Sequence, residues 1–116
     1  MKIAFFDAKT YDIPAFEHFA SQNGVTFKYF ETKLNEDTAM LARGFDGVCV
    51  FVNDTVNAKV IDILYSMGIK IIALRCAGYN NVDLSAADGI IPVVRVPEYS
   101  PHAIAEHALA LLLTLV

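Results

Sequence analysis

Basic residues are few. Nine Lys and Arg stand against thirteen Asp and Glu, for a formal net charge of −4 and a pI near 5.2. Without clustered Lys and Arg to meet a phosphate backbone, nucleic acid is not an expected partner. Cysteine is scarce as well, with only Cys49 and Cys76. Neither belongs to a C-x-x-C pair or stands at ligand spacing from a His, so no metal site is expected. Each falls in an apolar run and reads as a buried thiol in a reducing cytosol, which predicts a cytoplasmic protein. A disulfide or metal pair is the weaker alternative. The six glycines stand at 24, 44, 47, 68, 78 and 89 and never form G-x-G-x-x-G. G-x-x-x-x-G-K-[ST] is also absent, so the chain does not itself cradle a dinucleotide or a nucleoside triphosphate in the usual way. There is no internal repeat, low-complexity stretch or long linker. The apolar run at 1–7 is too short for a signal peptide and lacks a small-residue cleavage site. The apolar run at 103–116 falls short of the roughly 20 residues of a membrane helix, so no membrane partner is expected.

What is abundant is apolar. Hydrophobic residues make up 55% of the 116 and charged residues 19%. That length allows one domain, burying roughly two-thirds of its unfolded surface. The apolar balance predicts that part of its surface is covered by something outside this chain.

The runs alternate in type. Residues 2–6, 47–52 and 69–74 are short apolar stretches that read as buried strands. Residues 25–30 set Val25, Phe27 and Phe30 inward against Thr26, Lys28 and Tyr29, as a half-buried edge strand would. Residues 90–96, interrupted by Pro92, read as a short or peripheral fifth strand. Between them, 13–22 carries Ile13, Phe16, Phe19 and Ala20 at helical spacing and stops at Asn23-Gly24. Residues 35–43 read as a short helix with Asn35 as N-cap and Gly44 as its stop. Residues 57–67 place Val60, Ile61, Leu64 and Met67 on one helical face ahead of Gly68. A short helix follows Asp83, and Ser100-Pro101 opens a last one. Strands alternating with helices of this length predict an α/β fold, a five-stranded parallel sheet with helices on both faces. In such sheets ligands bind outside the carboxyl ends of the strands, which singles out the loops after Phe6, Val52, Leu74 and Val96.

The most informative stretch is Leu74-Arg75-Cys76-Ala77-Gly78-Tyr79-Asn80-Asn81-Val82-Asp83. A strand runs into one Gly and two Asn, residues that accept tight and left-handed turns. The backbone N–H groups of Ala77 and Gly78 can cradle a small anion; a strand-to-helix turn with no ligand is the bland alternative. Asp83 reads as an N-cap rather than an acid. Tyr99 lies on the same edge and reads equally as a substrate hydrogen-bonding phenol or a packed aromatic. Phe51 reads first as core and second as a roof on the cleft. His18, His102 and His107 are not nominated for acid–base work. His18 sits on an amphipathic helix, His102 meets an unfavourable dipole in a first helical turn, and Glu106-His107 point to different sides of a helix.

That stretch, joined to Val94-Arg95-Val96-Pro97-Glu98-Tyr99-Ser100-Pro101-His102-Ala103-Ile104-Ala105-Glu106-His107, resembles the NAD-dependent D-2-hydroxyacid dehydrogenases and, among them, the D-lactate dehydrogenases. Residues 1–6 and 42–48 are similar too, so the resemblance spans essentially the whole chain. It implies a flavodoxin-like fold for residues 1–100, the N-terminal portion of a substrate (catalytic) domain. It implies that 101–116 begin the crossover helix to a coenzyme-binding domain. Backbone amides at Ala77 and Gly78 would hold the carboxylate of a 2-oxo or 2-hydroxy acid, and Tyr99 would contact it. Phe51, which matches a position often Tyr in relatives, would shape the pocket. Ile104 would lie near the nicotinamide of NAD. The family's catalytic Arg, Glu and His would all lie downstream, leaving this stretch with no catalytic residue. A homodimer is the implied assembly.

The C-terminal run supports the same expectation. Residues 108–116 have no cap, closing glycine or basic last turn, and a helix apolar on every side must be buried on every side. The sequence thus predicts a chain cut within a helix that continues into a larger protein. Two rivals remain: a non-catalytic binding or dimerisation domain, and a phospho-receiver module, for which Asp7 and Asp54 fit loosely and the required Lys is missing.

Overall fold

The computed structural model describes residues 1–75 and 81–95, and all that follows concerns these. The side chains of Ala15, Phe19, Gln22, Asn23 and Arg95 also stand outside the description. Five strands appear in chain order: β1 (Lys2–Phe5), β2 (Thr26–Tyr29), β3 (Gly47–Val50), β4 (Ile71–Leu74) and β5 (Val93–Arg95). Three α-helices punctuate them: α1 (Asp12–Asn23), α2 (Ala58–Ser66) and the single turn α3 (Leu84–Ala87). All pairings are parallel, in the order β2-β1-β3-β4-β5. This is the flavodoxin-like order, whose direction reverses between β1 and β3.

Strand alternation sorts the core onto two faces. Ile3, Phe5, Cys49, Ile71 and Ala73 pack with Phe16 and Ala20 of α1. Ala4, Val48, Val50, Ile72 and Leu74 pack with Val60, Ile61 and Leu64 of α2 and with Ala87 of α3. Strands β3 and β4 are buried at every position, as their unbroken apolar runs require. On the α1 face Phe5 meets Phe16 edge-on at 4.6 Å and Phe27 at 5.8 Å between ring centroids. Gly47 is needed where β3 crosses its neighbours. A Cβ there would stand 2.7 Å from Ile71 Cγ2 and 3.2 Å from Ile3 Cδ1.

Local signals set the element ends. Gly24 adopts a left-handed φ of 67° and closes α1 by donating its N–H to the Ala20 carbonyl. Asn57 caps α2 by accepting from the Val60 N–H, and Asp83 caps α3 by accepting from the Ala86 N–H.

Two expectations are corrected. Residues 35–43 are not one helix: only Ala39–Ala42 form a turn of 3₁₀ helix. Asn35 instead accepts from the N–H groups of Asp37 and Thr38, and these local side-chain bonds compete with an α-helical start. Tyr29 and Phe30 also exchange sides. Tyr29 lies 5.9 Å from Phe27 on the α1 face, where its hydroxyl donates to Glu17. Phe30 stacks on Phe6 at 5.2 Å on the other face.

Candidate functional site

The site is built where β1, β3 and β4 run out. The chain leaves β1 through Phe6 and then turns sharply at Asp7, which has a φ of 51°. Asp is among the few non-glycine residues that tolerate this region, and long-range contacts must hold it there. The Asp7 N–H donates to the Thr32 carbonyl at 2.9 Å, and the Ala8 N–H to the Phe30 carbonyl at 3.0 Å. Asp7 is 2% exposed. Its Oδ1 accepts from Lys9 at 3.0 Å, while its buried Oδ2 has no hydrogen-bond partner among the described residues.

Arg75 follows β4 directly and is also 2% exposed. Its Nη1 donates to the Phe6 carbonyl and its Nη2 to the Asp7 carbonyl, both at 3.0 Å. The guanidinium lies 4.0 Å from the centroid of the Phe5 ring and 5.2 Å from that of Phe51. The Cys49 sulfur accepts a longer contact at 3.7 Å. A buried cation is costly unless hydrogen-bonded and paired. Here two carbonyls, two ring faces and the Asp12 carboxylate at 4.0 Å compensate it. The planar fork reaches both carbonyls at once, which a lysine ammonium does not do. Arg75 thus ties the end of β4 to the end of β1 across the reversal point of the sheet.

A second tie lies on the other flank. Asp54 is 1% exposed in the loop after β3. Its Oδ1 accepts from the Leu34 N–H and its Oδ2 from the Phe51 N–H, each at 2.6 Å. Burial pushes its carboxyl above the usual value of 3.8, against the opposing pull of the two N–H bonds and of Arg75. Asn81 adds a fork of its own. Its Nδ2 donates to the carbonyls of Phe51 and Asp54, both at 2.9 Å. Val56 and Val82 continue the union as a parallel bridge. The loops after β2, β3 and β4 are therefore bonded to one another.

Among the described residues no group of three His, Cys, Asp or Glu is placed to hold a metal. No described helix is long and apolar enough to cross a membrane. Cys49 is fully buried, as read from its strand, and burial pushes its thiol pKa up. An open hollow of about 660 Å³ lies beside the start of β5, lined by Leu84, Asp88, Ile90 and Ile91 among others. That is away from the carboxyl edge on which Arg75 and Asp54 converge.

Residues 3–111 match the D-isomer specific 2-hydroxyacid dehydrogenase catalytic domain. The chain belongs to that family. A 2-hydroxyacid dehydrogenase homolog of Zymomonas mobilis is 48% identical over 116 residues, covering 99% of this chain and 35% of the relative. The D-lactate dehydrogenase of Escherichia coli is 45% identical over the same length, again 35% of that protein. Its apo structure superposes with a TM-score of 0.82, covering 98% of this chain and 36% of that one. A D-2-hydroxyisocaproate dehydrogenase superposes at 0.78 with 36% identity. The NAD-complexed D-isomer specific 2-hydroxyacid dehydrogenase of Lactobacillus delbrueckii superposes at 0.75 with 32% identity. The chain thus spans about a third of the length of the relatives it matches.

Of the site residues expected for this family, Phe51 is described. It stands just past β3, half-buried, packed on the α2-side core with its ring toward the Arg75 guanidinium. Its packing is that of a residue at the margin of the core. Ala77, Gly78, Tyr99 and Ile104 lie outside the described residues, as do Cys76, His102 and His107. His18 is exposed on α1. The sequence reading passed over Arg75 and Asn81, and it weighed Asp7 and Asp54 only as receiver acids. A signal was present for Arg75, a charge wedged between the apolar run at 69–74 and Cys76. Nothing local marked Asp54, because its partners are remote.

Proposed function

We propose that this chain is the N-terminal portion of the substrate (catalytic) domain of an NAD-dependent D-2-hydroxyacid dehydrogenase. The whole protein interconverts a short 2-oxo acid with its D-2-hydroxy acid, pyruvate and D-lactate being the preferred pair. The observation that carries this reading is the family match across residues 3–111. Similarity to D-lactate dehydrogenases over nearly the full chain supports the substrate. Residues 1–100 belong to the substrate domain, and 101–116 begin the crossover helix to the coenzyme domain. The backbone amides of Ala77 and Gly78 hold the substrate carboxylate, Tyr99 contacts the substrate, Phe51 walls the pocket and Ile104 approaches the nicotinamide. The whole protein is a cytoplasmic homodimer.

The described residues do not themselves suit a dinucleotide. The reversal point between β1 and β3, where such folds receive a flat cofactor, is filled by the Arg75 guanidinium bonded to Phe6 and Asp7. No G-x-G-x-x-G occurs anywhere in the chain. NAD is therefore assigned mainly to residues outside this chain, with Ile104 as the contact this chain adds. The same geometry disfavours the receiver reading. Asp54 is buried and both its oxygens are engaged by backbone N–H groups, so it presents no free oxygen to a phosphoryl donor.

The test is NADH oxidation followed by absorbance. The full-length protein is expected to consume NADH when pyruvate is added, and absence of loss across a panel of 2-oxo acids refutes the activity. The 116-residue chain alone is expected to show no turnover. Turnover by it would refute the division of labour between this stretch and the rest of the protein.

A further inference from the structure

The turn that follows β3 is closed by one buried side chain. Residues 51–54 fold back so that the Asp54 N–H donates to the Phe51 carbonyl at 3.1 Å. The Asp54 carboxylate then reaches the start of the same turn, where its Oδ2 accepts from the Phe51 N–H at 2.6 Å. Both main-chain polar groups of Phe51 are therefore held by Asp54. Asn81 Nδ2 adds its bonds to the carbonyls of Phe51 and Asp54 at 2.9 Å. The turn is also fastened behind. Asp54 Oδ1 accepts from the Leu34 N–H at 2.6 Å, and the Thr55 N–H donates to the Leu34 carbonyl at 2.7 Å. Leu34 is fully buried, so this anchor belongs to the core, and the half-buried Phe51 ring packs against that same core.

Exposure separates the parts of this turn. Val52 is 51% exposed and Asp54 1%. With both oxygens spent on backbone N–H groups, Asp54 has no face left for a ligand. Closing a turn does not require a buried charge, since a polar side chain at the surface does as much. Keeping a carboxylate from water is costly. What the buried carboxylate adds is a Phe51 backbone tied to the core rather than to its own turn alone. We infer that Asp54 is a positioning residue for Phe51, and that through Phe51 it sets which length of 2-oxo acid the pocket accepts. It touches no substrate. This inference rests on the dehydrogenase reading above, with Phe51 as pocket wall, and deepens it.

The experiment uses the full-length protein as wild type, Asp54→Asn, Phe51→Ala, the double variant of these two, and Asn57→Ala as a control that loosens α2 instead. The readout is the ratio of kcat/KM for pyruvate to kcat/KM for 2-oxoisocaproate, taken on one preparation so that the active fraction cancels. The ratio is expected to fall roughly fivefold or more in Asp54→Asn and in Phe51→Ala, as a wall that moves by about a methylene admits the longer acid. Asn57→Ala is expected to stay within about twofold of wild type, and the double variant within about twofold of Phe51→Ala, because residues that act through one another are not additive. An Asp54→Asn ratio like that of wild type, or shifts that add in the double variant, overturns the inference. So does a fall in Asn57→Ala equal to that in Asp54→Asn, which would make the effect one of general destabilisation. Should Asp54→Asn fail to fold, Asn81→Ala frees the Phe51 carbonyl from one donor and carries the same expectation. An inactive wild-type protein sinks the dehydrogenase reading and this inference with it. Active variants with an unchanged ratio sink this inference alone.

Discussion

Replacing Asp54 by alanine removes the acceptor for one buried and one part-buried N–H group at one stroke. Leu34 is fully buried and its N–H donates to Asp54 Oδ1; the Phe51 N–H donates to Oδ2. An orphaned buried donor costs about 1–3 kcal/mol and a part-buried one less, so the two together cost about 2–5 kcal/mol. Against this stands relief of the carboxylate's own desolvation, which is what raises its pKa. A net loss of about 2–4 kcal/mol is expected. For a chain of this length each kcal/mol shifts Tm by about 4 °C, so the midpoint falls by roughly 8–16 °C. Urea unfolding followed by circular dichroism measures the free energy, and a thermal scan measures the midpoint. Asp54→Asn keeps one acceptor oxygen and turns an amide NH₂ toward the other donor, so it is expected to lose about half as much. Its pH profile carries a separate check. The folded-state pKa of Asp54 lies above its ordinary value of 3.8. Between those two values the folded protein binds more protons than the unfolded chain, so stability from this group falls as pH rises. The wild-type advantage over Asp54→Asn should therefore be largest below about pH 3.8, shrink as pH rises through the folded pKa and then level off. An Asp54→Ala protein within about 0.5 kcal/mol of wild type would refute the reasoning, since ordinary surface substitutions do no more.

Other perturbations test other parts of the frame. Phe16→Ala opens a hole against Phe5 and Phe27, whose rings lie 4.6 and 5.4 Å away, and should cost about 3–5 kcal/mol by denaturant unfolding. Gly47→Ala places a methyl 2.7 Å from Ile71 Cγ2 and 3.3 Å from the Ile71 carbonyl oxygen, and should cost about 1–3 kcal/mol, with no change in helix content by circular dichroism. Asn57→Ala removes the bond from the Val60 N–H that caps α2 and should cost about 1 kcal/mol. Cys49, buried and with its thiol pKa raised, should resist alkylation in the native protein at mildly alkaline pH and react only on unfolding, as peptide mapping by mass spectrometry would show.

Much of this fold was legible along the chain because its causes are local. The unbroken apolar runs at 47–52 and 69–74 read as strands buried on both faces, and β3 and β4 are buried at every position. Gly24, Asn57 and Asp83 marked element ends through backbone preferences that need no distant partner. Errors arose where one local preference was weighed above another. Tyr29 was set opposite Phe27, against strict alternation; it lies on the Phe27 side, where its hydroxyl reaches Glu17 on α1. The stretch at 35–43 has helical composition, but Asn35 and Thr38 bond their own turn and leave only four residues of 3₁₀ helix.

Sequence alone determined the class of the protein: strands alternating with helices, gathered in one five-stranded parallel sheet with helices on both faces. Each of these follows from residue periodicity and backbone preference over a few positions. Tertiary structure alone decided the strand order and the two ties that brace the carboxyl edge of the sheet. Arg75 finds its carbonyls 68 and 69 residues away, and Asp54 finds Leu34 at a separation of 20. Such partners leave no periodic trace. A buried charge in sequence announces only that it needs compensation, and which backbone supplies it is settled when the sheet assembles.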